Sequence, residues 1–185
     1  MRRAGEDDGD LWVFGYGSLL WNPGFSFREL QPAGIFGYHR ALCVYSHVHR
    51  GTPEQPGLVL GLDRGGACRG LAYRVASAEK ASTIAYLRAR EQVTSVYVER
   101  RLIANLEDGR RVEALTYVVD RRHAQYSGRL SIAAMIELVA IGTGRSGRNV
   151  DYVVSSHARL MELGVRDPTL DAVVAAFADA RLAAR

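Results

Sequence analysis

The sequence has few cysteines, a single lysine and no long apolar run. Its two cysteines, Cys43 and Cys68, are not closely spaced, which predicts neither a disulfide framework nor a paired-cysteine metal or redox motif. No uninterrupted apolar stretch approaches the ~18 residues of a membrane span, so we expect no transmembrane segment. The first ten residues turn acidic and lack the apolar segment of a secretory signal. We therefore expect a reduced, cytoplasmic protein.

The chain does have enough apolar sequence for one sizeable core. Of its 185 residues, 48% are apolar and 24% charged, which excludes a largely disordered chain. Lys80 is the only lysine among 24 basic residues, and 20 acidic residues are scattered among them, for a net charge of +4. A mixed surface of this kind supports solubility and gives only weak support to nucleic-acid binding. We therefore expect no nucleic-acid partner.

The N-terminal half is patterned as short strands separated by turns. Apolar and aromatic stretches bounded by glycine and proline predict strands at residues 12–16, 41–48, 57–62, 70–75 and 111–119. Between the last two, Ser77 as N-cap and Glu79 in the first turn predict a helix that runs to about Arg90.

The C-terminal third is predicted to be helical. Ser131 caps the first helix, the second runs from near Asn149 to before Gly164, and the third begins with Asp167 and Pro168. Each helix carries an inward stripe at helical spacing. The stripes are Ile132, Met135, Ile136, Val139 and Ala140; then Val150, Val153, Val154, His157 and Met161; then Leu170, Val173, Val174 and Phe177.

These elements predict an α+β fold, with a small curved or barrel-like sheet and helices packed around it. The chain contains no internal repeat, low-complexity tract or linker. We therefore predict a single domain over residues 11–185, preceded by a disordered tail at residues 1–10.

Two motifs that suggest cofactors fail on their context. Residues 142–147 match the dinucleotide pattern G-x-G-x-x-G, but a helical stripe precedes them where the pattern requires a strand. His47 and His49 alternate as on a strand, and no nearby carboxylate or cysteine completes a metal site. We also interpret His157 as a core histidine with a satisfied hydrogen bond. The sequence thus predicts neither a nucleotide cofactor nor a metal.

The stretch from Val13 to Leu19 is a candidate binding segment. Gly15 and Gly17 flank Tyr16 at the end of an apolar strand, where they permit close approach of a ligand. Successive backbone N–H groups in such a loop can form a concavity for a carboxylate or an oxyanion. A tight strand-to-loop turn without a ligand explains these residues equally well.

Glu91 is the candidate acid/base. It follows Leu87 by four residues and Ile84 by seven, so it shares their inward helix face. Burial and the C-terminal end of the helix dipole both act to raise the pKa of this carboxyl, which suits proton transfer. A solvent-facing glutamate, or one paired with a nearby arginine, is the alternative.

Taken together, the segment from Val13 to Leu19 and the residue Glu91 resemble motifs of the ChaC family, the glutathione-specific γ-glutamylcyclotransferases. The resemblance rests on the segments at 13–19, 50–53, 70–74, 126–128 and 146–152, on Arg90-Glu91 and on Tyr97, and it covers roughly residues 11–174. Many members carry glycines between the glutamate and the tyrosine, where this chain has Gln92-Val93-Thr94-Ser95-Val96.

The resemblance implies a γ-glutamylcyclotransferase-like fold, a small β-barrel with flanking helices and a helical C-terminal third. It also implies cleavage of glutathione, a small-molecule substrate, to 5-oxoproline and cysteinylglycine without a metal or cofactor. Glu91 would be the acid/base, and Arg50 and Tyr152 would line the pocket. The γ-glutamyl moiety would be held by Val13, Phe14, Gly15, Tyr16, Gly17 and Ser18.

Three alternatives remain open on the sequence alone. A cyclotransferase of the same superfamily would act on other γ-glutamyl amino acids or amines. A binding or ion-transport accessory module would keep the pocket without turnover, and a nucleic-acid binder would show steeply salt-dependent retention. The sequence does not predict an oligomeric state.

Overall fold

The structure, a computed structural model, describes residues 9–183. The chain forms seven strands and four α-helices within these residues. They are β1 (Leu11–Gly15), β2 (Glu29–Ser46), β3 (Gly57–Val75), α1 (Lys80–Glu91), β4 (Tyr97–Leu106), β5 (Arg111–Val119), α2 (Ile132–Ile141), β6 (Thr143–Gly144), β7 (Gly147–Arg148), α3 (Asn149–Glu162) and α4 (Pro168–Ala183). A 3₁₀ turn follows β1 at Ser18–Leu20, and another precedes α1 at Ser77–Glu79.

Five strands close into a barrel in the order β1-β3-β2-β4-β5. Neighbours pair antiparallel except where β1 meets β5, which run parallel with Trp12 opposite Ala114 and Val13 opposite Leu115. The β2–β3 pair is the longest, and β2 meets β4 only at Ala33 and Gly34. The predicted α+β fold with a barrel-like sheet and a helical C-terminal third is confirmed.

The barrel and the C-terminal helices share one apolar core. Strand side chains such as Phe14, Leu62 and Leu115 are fully buried, and α3 and α4 contribute Val153 and Val173. Burial of this kind stabilises the fold by roughly 1.5–3 kcal/mol for each large apolar side chain. The core thus fixes α3 against the barrel, and with it one wall of the cavity described below.

The long strands differ from the predicted short ones. Strand β3 is continuous where the sequence predicts two strands, at 57–62 and 70–75, and the predicted strand 41–48 is the end of β2, which stops at Ser46. A β-bulge at Phe36/Tyr38 takes up the turn-forming residues Gly65 and Gly66, whose φ angles are positive. Strand β4 departs from the alternating apolar pattern that predicts a strand, because consecutive residues such as Arg100 and Arg101 are both charged and exposed.

The helix starts are confirmed in two cases and corrected in one. The Ser131 side chain accepts the N–H of Ala134, and Asp167 accepts that of Leu170. Ser77, in contrast, makes no side-chain cap. Its backbone N–H instead donates to the Asp10 carboxylate at 2.8 Å, so a residue distant in the sequence caps the 3₁₀ turn that precedes α1.

Two further predictions concern single positions. Met161 is predicted to face inward but is 52% exposed, because it lies about a quarter turn around α3 from the buried Val153 and Leu160. Residues 1–8 of the predicted tail lie outside the described residues, whereas Asp10 is buried and bonds to Arg74 at 2.9 Å. The domain bounds 11–185 stay a prediction.

Candidate active site

A cavity of about 320 Å³ opens at one end of the barrel. It lies between the end of β1, the loop after β2, the C-terminal end of α1 and the start of α3. Its charged and polar lining comes from Tyr16, Ser18, Ser46, His47, His49, Arg50, Arg90, Glu91, Tyr97, Tyr117, Ser146 and Tyr152, among others. Glu91 is the one carboxylate among the described residues that line it.

The predicted binding segment reaches the cavity with only part of its length. Phe14, Tyr16, Gly17 and Ser18 line it, whereas Val13 and Gly15 do not. Because side chains alternate along a strand and Phe14 and Tyr16 line the cavity, the intervening Gly15 faces away from it. The structure therefore does not bring Val13 and Gly15 to the site.

Glu91 is the last residue of α1, and its side chain is only 17% exposed. Leu87, one turn earlier on the same face, is fully buried, as the helical spacing predicts. Burial raises the pKa of the Glu91 carboxyl above its ordinary value, and the neighbouring Arg90 guanidinium opposes that rise. The cavity thus holds a carboxyl whose protonated and ionised forms are closer in energy than in water.

Four tyrosines surround this carboxyl. Burial raises the pKa of Tyr16, Tyr97, Tyr117 and Tyr152, that of Tyr152 to about 12, and the nearby Glu91 adds to each rise. Their hydroxyls therefore stay protonated at neutral pH and can donate hydrogen bonds. The Tyr97 hydroxyl donates to the Leu60 carbonyl at 2.7 Å, while the Tyr152 hydroxyl accepts the Leu60 N–H at 3.1 Å.

Arg50 forms the opposite wall. Its guanidinium lies over the Tyr152 ring, 5.5 Å from the centroid, and Nη1 donates to the Arg148 carbonyl at 3.2 Å. Burial lowers the pKa of this guanidinium, and none of its described contacts is an ion pair. A half-buried cation fixed in this way is suited to binding an anionic group of a ligand.

The glycine-rich segment at 142–147 holds the Arg50 loop in place. Strands β6 and β7 form a small ribbon there, and the N–H groups of Arg145 and Ser146 donate to the carbonyls of Val48 and His49. A Cβ on Gly142 would lie 2.6 Å from the Arg50 carbonyl oxygen, so only glycine lets the two segments approach this closely. The segment is a packing element between helices and not a phosphate cradle.

Ser146 and Asn149 extend this contact to the strands. The Ser146 hydroxyl lies 2.9 Å from Nδ1 of His49, and Asn149 exchanges two hydrogen bonds with the backbone of Leu58.

Two predictions about histidines have different outcomes. Strand β2 ends at Ser46, so His47 and His49 lie in the loop after it and not on a strand as predicted. His157 bonds to Asp171 at 2.8 Å, which confirms its predicted satisfied hydrogen bond.

Sequence reasoning assigned no role in the site to several lining residues. The sequence pattern places His49 on a strand and Ser146 in a loop, and it gives no signal for Tyr117, yet all three line the cavity. The glycines at 51, 57, 142 and 144 are a sequence signal that could have indicated the contact between the loop after β2 and the segment before α3. In the structure all four pack directly against backbone. Among the residues that the structure describes, no group of three or more histidine, cysteine or acidic side chains is arranged to hold a metal.

Comparison with protein families and curated proteins gives concordant matches. Residues 11–179 match the family described as ChaC-like protein. A glutathione-specific γ-glutamylcyclotransferase of Escherichia coli K12 is 36% identical over 165 residues, which cover 89% of this chain and 71% of that protein. A glutathione-specific γ-glutamylcyclotransferase 1 of Danio rerio is 31% identical over 90% of this chain and 88% of its own length.

The fold has a counterpart among solved structures. The crystal structure of a γ-glutamyl cyclotransferase specific to glutathione from yeast aligns with a TM-score of 0.81. The alignment covers 90% of this chain and 94% of the yeast chain at 21% sequence identity. At that identity the likeness establishes the fold.

Proposed function

Since this chain belongs to the ChaC family, we propose that it is an enzyme that degrades glutathione to 5-oxoproline and cysteinylglycine. It is a γ-glutamylcyclotransferase, a carbon–nitrogen lyase that acts on a small-molecule substrate. None of the described helices is both long and apolar enough to cross a membrane. The predicted cytoplasmic location stays a prediction.

One observation carries the assignment of the chemistry to this cavity. A single carboxylate, Glu91, shares the cavity with the Tyr16–Ser18 segment and with two arginines, Arg50 and Arg90. Glutathione carries two carboxylates and one ammonium, so Glu91 is the anionic partner available to the ammonium, while Arg50 can bind a carboxylate. This complementarity directs the α-amino group of the substrate towards Glu91.

The reaction needs only a bent substrate and a proton carrier. The α-amino nitrogen attacks the γ-carbonyl carbon and closes a five-membered ring, so the nucleophile is intramolecular and gains from proximity. Glu91 takes a proton from the α-ammonium, which leaves a free amine that can attack, and gives this proton to the departing cysteinyl nitrogen as the γ-amide bond breaks. The second proton that the ring nitrogen loses also passes through Glu91 to the released amine, which leaves as an ammonium. A carboxyl with a raised pKa can make both transfers.

Backbone and side-chain donors would stabilise the rest of the substrate. Gly17 and Ser18 line the cavity, and their backbone N–H groups can hold the α-carboxylate or the oxyanion of the tetrahedral intermediate. The protonated Tyr16 hydroxyl lies in the same lining and can donate to the same groups. These roles are part of the proposal.

Incubation with reduced glutathione tests the function directly. We expect equimolar release of 5-oxoproline and cysteinylglycine, measured by mass spectrometry without added metal. In parallel, γ-glutamyl-alanine should release 5-oxoproline much more slowly. Equal turnover of the two substrates would favour a general γ-glutamyl specificity, and release from neither would contradict the proposal.

Arg50 is expected to bind a substrate carboxylate. Replacing it with glutamine should raise KM for glutathione about 10–100-fold with little change in kcat, since charge-assisted hydrogen bonds contribute about 1.5–3 kcal/mol. Steady-state kinetics on glutathione and on its glycine amide would test this. If Arg50 binds the glycyl carboxylate, the amide should bind equally weakly to the wild type and to Arg50→Gln.

A further inference from the structure

Arg90 connects the two halves of the site. Its Nη1 donates to the carbonyls of Asn22 and Pro23 at 2.7 and 3.2 Å, and its Nη2 donates to the Ser18 hydroxyl at 2.9 Å. On its other edge, Nε lies 3.2 Å from Oε1 of Glu91. One guanidinium therefore contacts both the segment that follows β1 and the carboxylate at the end of α1.

The surroundings of Arg90 hold its side chain in this position. The guanidinium also bonds to the Tyr86 hydroxyl at 2.9 Å, one turn earlier on α1, and its side chain is only 17% exposed. Gly24, which has a positive φ, lies against the same hydroxyl. The loop at 21–24 thus packs closely over the Tyr86–Arg90 edge of the helix.

We propose that Arg90 is a positioning residue for the cyclotransferase reaction: its guanidinium fixes the Glu91 carboxylate relative to the substrate-binding segment at Ser18. This inference rests on the proposed function. Arg90 need not contact the reacting atoms to act in this way. It sets the distance over which the carboxylate must reach the substrate's amino group, and a displacement of about 1 Å at such a site can cost about 100-fold in rate.

The charges around Glu91 make the role of Arg90 testable by pH. The groups that face this carboxyl are the tyrosines at the end of β1 (Tyr16), on β4 (Tyr97), on β5 (Tyr117) and on α3 (Tyr152). These stay neutral at pH 7, and Arg90 is the cation that lowers the pKa of Glu91 against the effect of burial. Loss of the guanidinium should therefore raise that pKa further.

An arginine suits this position better than a lysine. Its three nitrogens lie in one plane and donate in different directions, so one side chain can bind Glu91 and Ser18 simultaneously. A lysine would supply the same charge from one point and could not span both partners. The two substitutions Arg90→Gln and Arg90→Lys therefore separate charge from geometry.

Steady-state kinetics over pH test the proposal. For Arg90→Gln we expect kcat for glutathione to fall about 10–100-fold and the acidic limb of the kcat profile to move to higher pH. Arg90→Lys should keep the limb near its wild-type position and still lose about 10-fold in kcat. Arg129→Gln, which removes a charge from an exposed position, is the control.

A purely structural role for Arg90 would lower the melting temperature without moving the acidic limb. An unmoved limb in a folded Arg90→Gln protein would therefore overturn the proposal.

A second measurement does not require turnover. The Glu91 carboxyl is titrated by ¹³C NMR, with its signal assigned by loss in Glu91→Gln, and amide hydrogen exchange is followed at residues 18–22 and at Gly24. In Arg90→Gln we expect a higher Glu91 pKa and faster exchange than in the wild type. Unchanged values would refute the role of Arg90 even if the wild type were inactive on glutathione, an inactivity that would instead contradict the proposed function.

Discussion

Replacing Glu91 with glutamine is expected to lower kcat for glutathione at least ~100-fold and to stabilise the protein at pH 7. The loss of rate follows because the amide cannot carry a proton between the attacking and departing nitrogens. The gain in stability follows because the folded protein raises the pKa of this buried carboxyl above its unfolded value. Glutamine keeps the shape and removes the cost of the buried charge.

The sign of the stability effect depends on pH. Below the ordinary carboxyl pKa of 4.5, Glu91 is protonated in both the folded and the unfolded protein, so its burial involves no charge and does not lower the stability. As pH rises through the higher folded pKa, the wild type loses stability relative to Glu91→Gln. The variant's melting temperature should therefore match the wild type near pH 4 and exceed it at pH 7.

Paired measurements separate these two effects. Single-turnover and steady-state kinetics give kcat, and thermal unfolding at several pH values gives stability. Glu137→Gln, on the exposed face of α2, is the matched control and should change neither. Near-wild-type turnover in Glu91→Gln would show that Glu91 is not the acid/base of the reaction.

Replacing Gly142 with alanine is expected to impair both folding and substrate binding. The backbone there has φ −62° and ψ 123°, which alanine adopts freely, so any effect is steric. The added methyl would lie 2.6 Å from the Arg50 carbonyl oxygen and 2.7 Å from the Gly57 Cα. Overpacking of this kind costs about 1–3 kcal/mol, and it moves the backbone that carries the Arg50 guanidinium.

We expect the melting temperature of Gly142→Ala to fall by several degrees, at about 2–4 °C for each kcal/mol. KM for glutathione should rise at least ~10-fold, because the shifted Arg50 guanidinium would lose its proposed contact with a carboxylate of the substrate. Gly34→Ala is the control, since a Cβ there meets nothing nearer than 3.9 Å. A Gly142→Ala protein with unchanged KM would show that the ribbon does not position Arg50.

Local patterns predicted two of the C-terminal helix starts, whereas Ser77 makes no cap and Ile132 and Met161 on the predicted inward stripes are exposed. Ser131 and Asp167 are caps whose bonds form within three residues, so the sequence alone contains both partners. The same local logic put Glu91 on the buried face of α1, four residues after Leu87. These features depend on neighbours in the chain, which sequence reasoning can evaluate.

Contacts between distant segments were beyond such reasoning. Arg50 meets Tyr152 and Arg148 across about a hundred residues, and Asp10 caps a turn at Ser77. Gly65 and Gly66 predict a break between two strands, whereas they form a bulge within β3, opposite Gly37 of β2, and the strand continues. In each case the deciding partner lies in another element, and no spacing in the sequence identifies it.

The parallel pairing of β1 with β5 has a consequence for how the molecule is assembled. Strand β1 emerges first during synthesis, yet its neighbour along the seam, at residues 114 and 115, follows a hundred residues later. Ring closure of the sheet must wait for that late partner, and such non-local pairing slows folding. Strand β3 can pair with one edge of β1 earlier, but the other edge has no partner until β5 is made, so the stretch that leads into the cavity completes its pairing last.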